Sequence, residues 1–329
     1  MPLTGSLQLS GTQLASPLFP LPKARDMHVI LHVGAHRTAT TTLQQHLARH
    51  RMRLAQDGVI YWGPRVARGG LFRGATAGRL PPMPWRAGRV AGRCKMRAAA
   101  IEQTGAETLL ISDENMLGSL RSCLEDAQLY RDAGARVSAF AKGFADHRLT
   151  IALSVRTYAD WWSSAMAFRL GRAGPLPRDA LRERMVTQPR RWRYVIEEIA
   201  RTLPDANVAV WTHEQMAGAP QRVVAALTGQ NTFAGAVRVS NPRPTGPELR
   251  GVLADAGVDL AAHPALAADD FMPFHPHEVE AFSEQYQEDL DWLRDGAAGF
   301  ADYLDAPLER APTEQGRGSD HDREARRMA

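Results

Sequence analysis

The chain has very little cysteine: Cys94 and Cys123 are the 2 thiols in 329 residues. They make no CxxC pair and no disulfide framework, which excludes a disulfide-stapled scaffold and fits a reducing compartment. No apolar run approaches the length that spans a bilayer. Residues 1–26 lack a basic segment followed by an apolar core, so they read as a loose N-terminal leader rather than a signal peptide, and the expected location is cytoplasmic. The 11 histidines are scattered, and His275 and His277 have no ligand partners nearby, so no metal site is expected. No helix-turn-helix, zinc-finger or RNA-recognition signature is present, and no nucleic-acid partner is expected. Acidic residues are missing between Asp57 and Glu102, where Arg65, Arg68, Arg73, Arg79, Arg86, Arg89, Arg93, Lys95 and Arg97 crowd together. That stretch suits an anionic acceptor, such as an acidic glycan or metabolite.

What is present is ordinary globular material, 44% hydrophobic and 23% charged, with a net charge of +4. Residues 27–310 read as a single domain, and the polar segment 311–329 as a disordered tail. Apolar β-branched runs at Val29–Val33, Val59–Trp62, Leu109–Ser112, Leu149–Val155 and Val208–Trp211 read as buried strands. Helical spacing follows from Thr40, over Lys95–Thr104, Leu129–Phe144 and Tyr158–Phe168, and over 189–202, 219–228 and Phe282–Leu293. Residues 63–93, rich in Gly, Pro and Arg, read as a long loop. Strand–helix alternation of this kind predicts an α/β fold with a doubly wound, mostly parallel sheet flanked by helices.

Chemistry concentrates at two strand ends. After Val33, the run Gly34-Ala35-His36-Arg37-Thr38-Ala39-Thr40-Thr41-Thr42 leads into a helix. A tight turn before a helix N-terminus presents unpaired N–H groups and a favourable dipole to an anion. The hydroxyls add donors, and Arg37 adds a planar cationic fork. The loop does not match GxxxxGK[ST], and no Lys precedes Thr40 and Thr41. A second strand ends in Leu153-Ser154-Val155-Arg156, with Ser164 on the next helix. Two anion sites at two strand ends predict a ligand with separated anionic groups.

Arg37-Thr38-Ala39-Thr40-Thr41 resembles the 5′-phosphosulfate loop of the sulfotransferases, [KR]-[ST]-G-[ST]-T, with Ala39 where that family prefers Gly. Arg156 and Ser164 resemble the pair with which the same family holds the 3′-phosphate of its donor. Val210–Met216 is similar to the family's strand and YE-x-[LM] turn, with His213 in the Tyr position, and 241–244 to its later basic loop. The Trp that many members carry after the paired threonines is Thr42 here, which leaves Trp62, Trp85 and Trp162 as candidate adenine platforms.

The resemblance implies the sulfotransferase or P-loop NTPase-like α/β fold. It also implies binding of 3′-phosphoadenosine 5′-phosphosulfate by Arg37, Thr38, Ala39, Thr40, Thr41, Thr42, Arg156 and Ser164, without a metal. The implied reaction is in-line sulfuryl transfer to a hydroxyl or amine, with Arg37 stabilising charge and Glu114 or His36 as general base. A P-loop kinase or NTPase, and a non-catalytic nucleotide-binding protein on the same scaffold, remain alternatives.

Overall fold

The computed structural model describes residues 27–304 apart from 74, 77–82, 173–178, 231–236, 238 and 261–263. The leader and the tail therefore lie outside the described residues. Six strands are described: β1 (His28–Gly34), β2 (Val59–Trp62), β3 (Thr108–Ser112), β4 (Arg148–Val155), β5 (Asn207–Thr212) and β6 (Asp302–Tyr303). They form one sheet in the order β2-β3-β1-β4-β5-β6, with every pair parallel. A parallel strand needs both faces covered, and β1 divides its side chains accordingly. Val29, Leu31 and Val33 enter one apolar core, and Ile30 enters the other. Helix α1 (Thr40–Gln56) contributes Leu43, Leu47 and Leu54 to the second core. Helix Pro220–Thr228 joins it there through Val223, Val224 and Leu227. Helices Pro84–Glu102, Ala133–Ala141, Tyr158–Leu170, Trp192–Thr202 and Pro276–Arg294 cover the opposite face. The doubly wound α/β reading therefore holds.

The strand order locates the site. From β1 the chain winds outward to β2 and back to β3, then crosses over to β4 and continues through β5 to β6. The winding reverses between β1 and β4, and in open α/β sheets ligands sit outside the carboxyl ends of the strands at such a reversal. Arg37 follows one of these two strands and Arg156 the other.

Several element boundaries differ from expectation. The loop expected over 63–93 contains a short turn (Pro64–Val66), a π-helical turn (Ala67–Leu71) and the start of helix Pro84–Glu102. Gly88 and Gly92 disguise that helix, but both face open space and cost it only propensity. Val90, Cys94 and Ala98 supply its buried stripe. The helix expected from Leu129 begins at Ala133. Tyr130 instead adopts φ 33° and turns its hydroxyl to His36. The last helix starts at Pro276 rather than Phe282, because His275 and Glu278 close a capping box. Helices Leu120–Asp126, Asp179–Thr187 and Gly246–Asp255, and strand β6, had no expectation attached to them.

Candidate functional site: a cationic cleft at the winding reversal

The β1–α1 loop is built on three left-handed residues, Gly34 (φ 87°), Arg37 (φ 63°) and Ala39 (φ 62°). For Arg37 and Ala39 that conformation costs roughly 1–2 kcal/mol each, because Cβ crowds the following carbonyl. Ala39 is the N-cap of α1 and offers no side-chain cap. Gly at this position would adopt the same turn without the steric cost. Two hydroxyls hold the loop from inside: Thr38 Oγ1 donates to the Ala35 carbonyl at 2.7 Å, and Thr40 Oγ1 to the same oxygen at 3.1 Å. Thr38 thus faces the interior, whereas Ala39, Thr40, Thr41 and Thr42 line a cleft of about 250 Å3.

Arg37, Arg156, Ser164, His213 and Arg243 line the same cleft. The structure therefore brings together both expected anion motifs, Thr38 alone standing outside the lining. Ser164 Oγ accepts from Arg37 Nε at 3.0 Å, so the two motifs meet directly. Phe168, one turn further along the same helix, places its ring 5.1 Å from the Arg37 guanidinium carbon. Arg156 Nη1 donates to the Arg37 carbonyl at 2.9 Å, so the strand-end arginine braces the loop. Its Nε is buried without a hydrogen-bond partner. Two indoles fix the backbone behind these arginines. Trp161 Nε1 donates to the His36 carbonyl and Trp192 Nε1 to the Arg156 carbonyl, each at 2.8 Å.

The segment 240–243 closes the cleft over the first turn of α1. The Ser240 N–H donates to Thr42 Oγ1, and Asn241 Nδ2 to Thr41 Oγ1. The Pro242 carbonyl accepts from Arg37 Nη2 at 3.1 Å. Arg243 is the third cation, held by Asp160 and Asp270. Burial, then Arg156, Arg172 and Arg243, push the Arg37 guanidinium down to about 10. Burial likewise lowers Arg156, against the opposing charge of Asp160. Cations crowded together at a half-buried cleft wall attract an anion strongly.

No family model matches this chain, and it matches no curated protein and no solved structure. The assignment of a function therefore rests on the site itself.

The two expected base residues lie on the other flank of the loop. A Cβ at Gly34 would sit 2.9 Å from the Glu114 Cβ, so Glu114 packs directly against the turn. Its carboxylate accepts from Gln44 Nε2 and from Arg68 Nη2, both at 3.0 Å. Arg68 also forks onto the fully buried Asp113, through Nε at 3.0 Å and Nη2 at 2.8 Å. Burial works to raise the Glu114 carboxyl, but His36, backbone N–H, Gln44 and Arg68 together hold it below the usual range. His36 has both ring nitrogens engaged, Nδ1 with the Tyr130 hydroxyl at 3.0 Å and Nε2 with the Asn115 amide at 3.3 Å. Neither Glu114 nor His36 lines the cleft, and neither do Trp62, Trp85 and Trp162. Trp162 is a core residue.

Sequence reasoning missed Tyr130, Trp161 and Trp192 as site supports. Their aromatic character signalled burial, but not which carbonyl or hydroxyl partner each would find. It also missed Arg68, which looked like one more member of a basic run.

The flank carries a pH dependence. His32 on β1 is buried, with Nδ1 2.8 Å from Ser112 Oγ. Burial pushes its imidazole down to about 4, against the charge of Glu114. The unfolded chain takes up that proton near pH 6.5 and the folded chain does not. Stability is therefore complete above about pH 6.5 and declines as pH falls toward 4. Denaturant titrations at the two ends of that window should differ by up to about 3 kcal/mol through this residue. In His32→Asn the difference should shrink by that amount; an unchanged difference would assign the acid sensitivity to other groups.

Proposed function

We infer that this protein is a sulfotransferase that moves a sulfuryl group from 3′-phosphoadenosine 5′-phosphosulfate to a hydroxyl or amine. The observation that carries the reading is the convergence of Arg37, Arg156 and Arg243 with the α1 N-terminus on one cleft. In this reading the α1 N-terminus and Arg37 receive the 5′-phosphosulfate, and Arg156 receives the 3′-phosphate. His213 and Gly218, also on the cleft wall, are left to border the base.

In the reaction the acceptor oxygen or nitrogen attacks sulfur. The bond from sulfur to the bridging oxygen breaks, and 3′-phosphoadenosine 5′-phosphate leaves with that electron pair. Negative charge grows on the bridging and peripheral oxygens, where Arg37 and the helix N–H groups stabilise it. The acceptor proton is assigned to Glu114, the carboxylate packed against Gly34 of the same turn. The arginine-rich segment 65–97 supports an anionic acceptor. The buried free thiols Cys94 and Cys123 are compatible with a cytoplasmic location.

Calorimetry in the presence of a chelator tests the reading. 3′-Phosphoadenosine 5′-phosphate should bind without a divalent metal, and more tightly than ATP. Tighter, magnesium-dependent ATP binding would instead establish the kinase or NTPase alternative.

A further inference from the structure

Helix Pro84–Glu102 has two faces, and the fold uses one of them. Val90, Cys94 and Ala98 turn inward. On the opposite side, at about 100° per residue, Trp85, Arg89, Gly92 and Met96 fall into line. Trp85 is 55% exposed, Met96 69%, and Met83 at the N-cap 60%. Scattered surface hydrophobics need no explanation, but Trp85 and Met96 share one exposed line three turns apart, with Arg89 and Gly92 between them. Arginines border it. Arg86, Arg93 and Arg97 run down one edge, and Arg86 and Arg89 lie 5.0 and 5.3 Å from the Trp85 ring. Arg93 also reaches back to the Leu71 carbonyl at 3.0 Å, pinning the helix to the turn that carries Arg68. The edge on the other side carries Lys95, paired with Asp146.

We propose that this face docks the protein on an anionic lipid surface. The pattern is that of a helix lying in the membrane interface. Its aromatic and thioether side chains enter the acyl boundary, and its cations meet anionic headgroups. An acidic polysaccharide would use the arginines and leave Trp85 and Met96 in water. A second copy of the chain would oppose arginines to arginines. Among the described residues no helix is long and apolar enough to cross a membrane, so the contact is peripheral. The inference does not depend on the sulfotransferase reading.

The full chain is centrifuged with vesicles of phosphatidylcholine, with and without phosphatidylserine. Binding is expected only to the anionic vesicles, with a blue shift of tryptophan emission that Trp85→Phe removes. Arg89→Glu and Arg97→Glu should each lower partitioning by about tenfold or more, from roughly 1 kcal/mol per basic residue near the surface. Trp85→Ser combined with Met96→Ser should weaken it as well, with circular dichroism and nucleotide binding unchanged. Failure to bind anionic vesicles, or equal binding to neutral ones, would overturn the proposal. So would loss on the charge reversals alone, which describes a soluble polyanion. A dimer dispersed by Met96→Ser in sedimentation velocity would assign the face to a second copy and overturn it too.

Discussion

Glu114→Gln is expected to leave donor affinity intact and to lower turnover by about a hundredfold or more, the usual size of a general-base contribution. The substitution suits its surroundings. Gln44 still has a carbonyl oxygen to donate to, and Arg68 keeps its fork on Asp113. A loss of turnover with an unchanged melting temperature therefore reports chemistry rather than collapse. The pH–rate profile provides a second check. Because burial is outweighed by His36, backbone N–H, Gln44 and Arg68, which together hold the carboxyl below its usual range, the acidic limb of the profile belongs well below neutrality. Unchanged turnover in Glu114→Gln would remove Glu114 from the reaction.

In the sulfotransferase reading, Arg37 and Arg156 divide the donor between them. An interaction with a group that does not react acts mainly on binding, and one with developing charge acts on the chemical step. Arg156→Ala should weaken donor binding by about 1.5–3 kcal/mol, the size of a lost charge-assisted contact. It should also erase the preference for 3′-phosphorylated over unphosphorylated adenosine nucleotides. Because Arg156 also holds the Arg37 carbonyl, some of the loss will fall on every nucleotide alike. The preference ratio, rather than the affinity, isolates the 3′-phosphate contact. Arg37→Ala should lower the rate at saturating donor while that preference survives. Arg37→Lys should recover part of the rate, limited by the loss of the fork to Ser164 and the Pro242 carbonyl. An intact preference in Arg156→Ala would require abandoning the nucleotide pocket as assigned.

The sheet was legible because its strands are buried on both faces. Val29–Val33 and Leu149–Val155 read as mostly apolar runs, interrupted by His32, Thr150 and Ser154. The Thr40 helix start was legible because Gly34 and the threonines change the pattern abruptly. Helix Pro84–Glu102 was obscured because half its turns face solvent and tolerate Gly and Arg. The short β6 has two residues, too few for a period to show. That Arg37, Arg156 and Ser164 would meet at one cleft was legible from the two strand ends and, for Arg156 and Ser164, from the resemblance. The bond from Ser164 to Arg37 was not, because it depends on how the two strand ends abut. Arg68 illustrates the same limit. Its role comes from Asp113 and Glu114, which only the fold places beside it.

The cleft also has a consequence for how the chain matures. Its closing contact joins Arg37 to Pro242 across 205 positions, and Arg37 meets Ser164 across 127. Contacts of such high sequence separation close late, because the loop entropy must be met before they contribute. A nascent chain would carry the anion loop long before it could retain a nucleotide. If the cleft holds the nucleotide, a ribosome-tethered chain ending before Ser240 should be nucleotide-free, and one extended past Arg294 should retain it and gain protection from proteolysis.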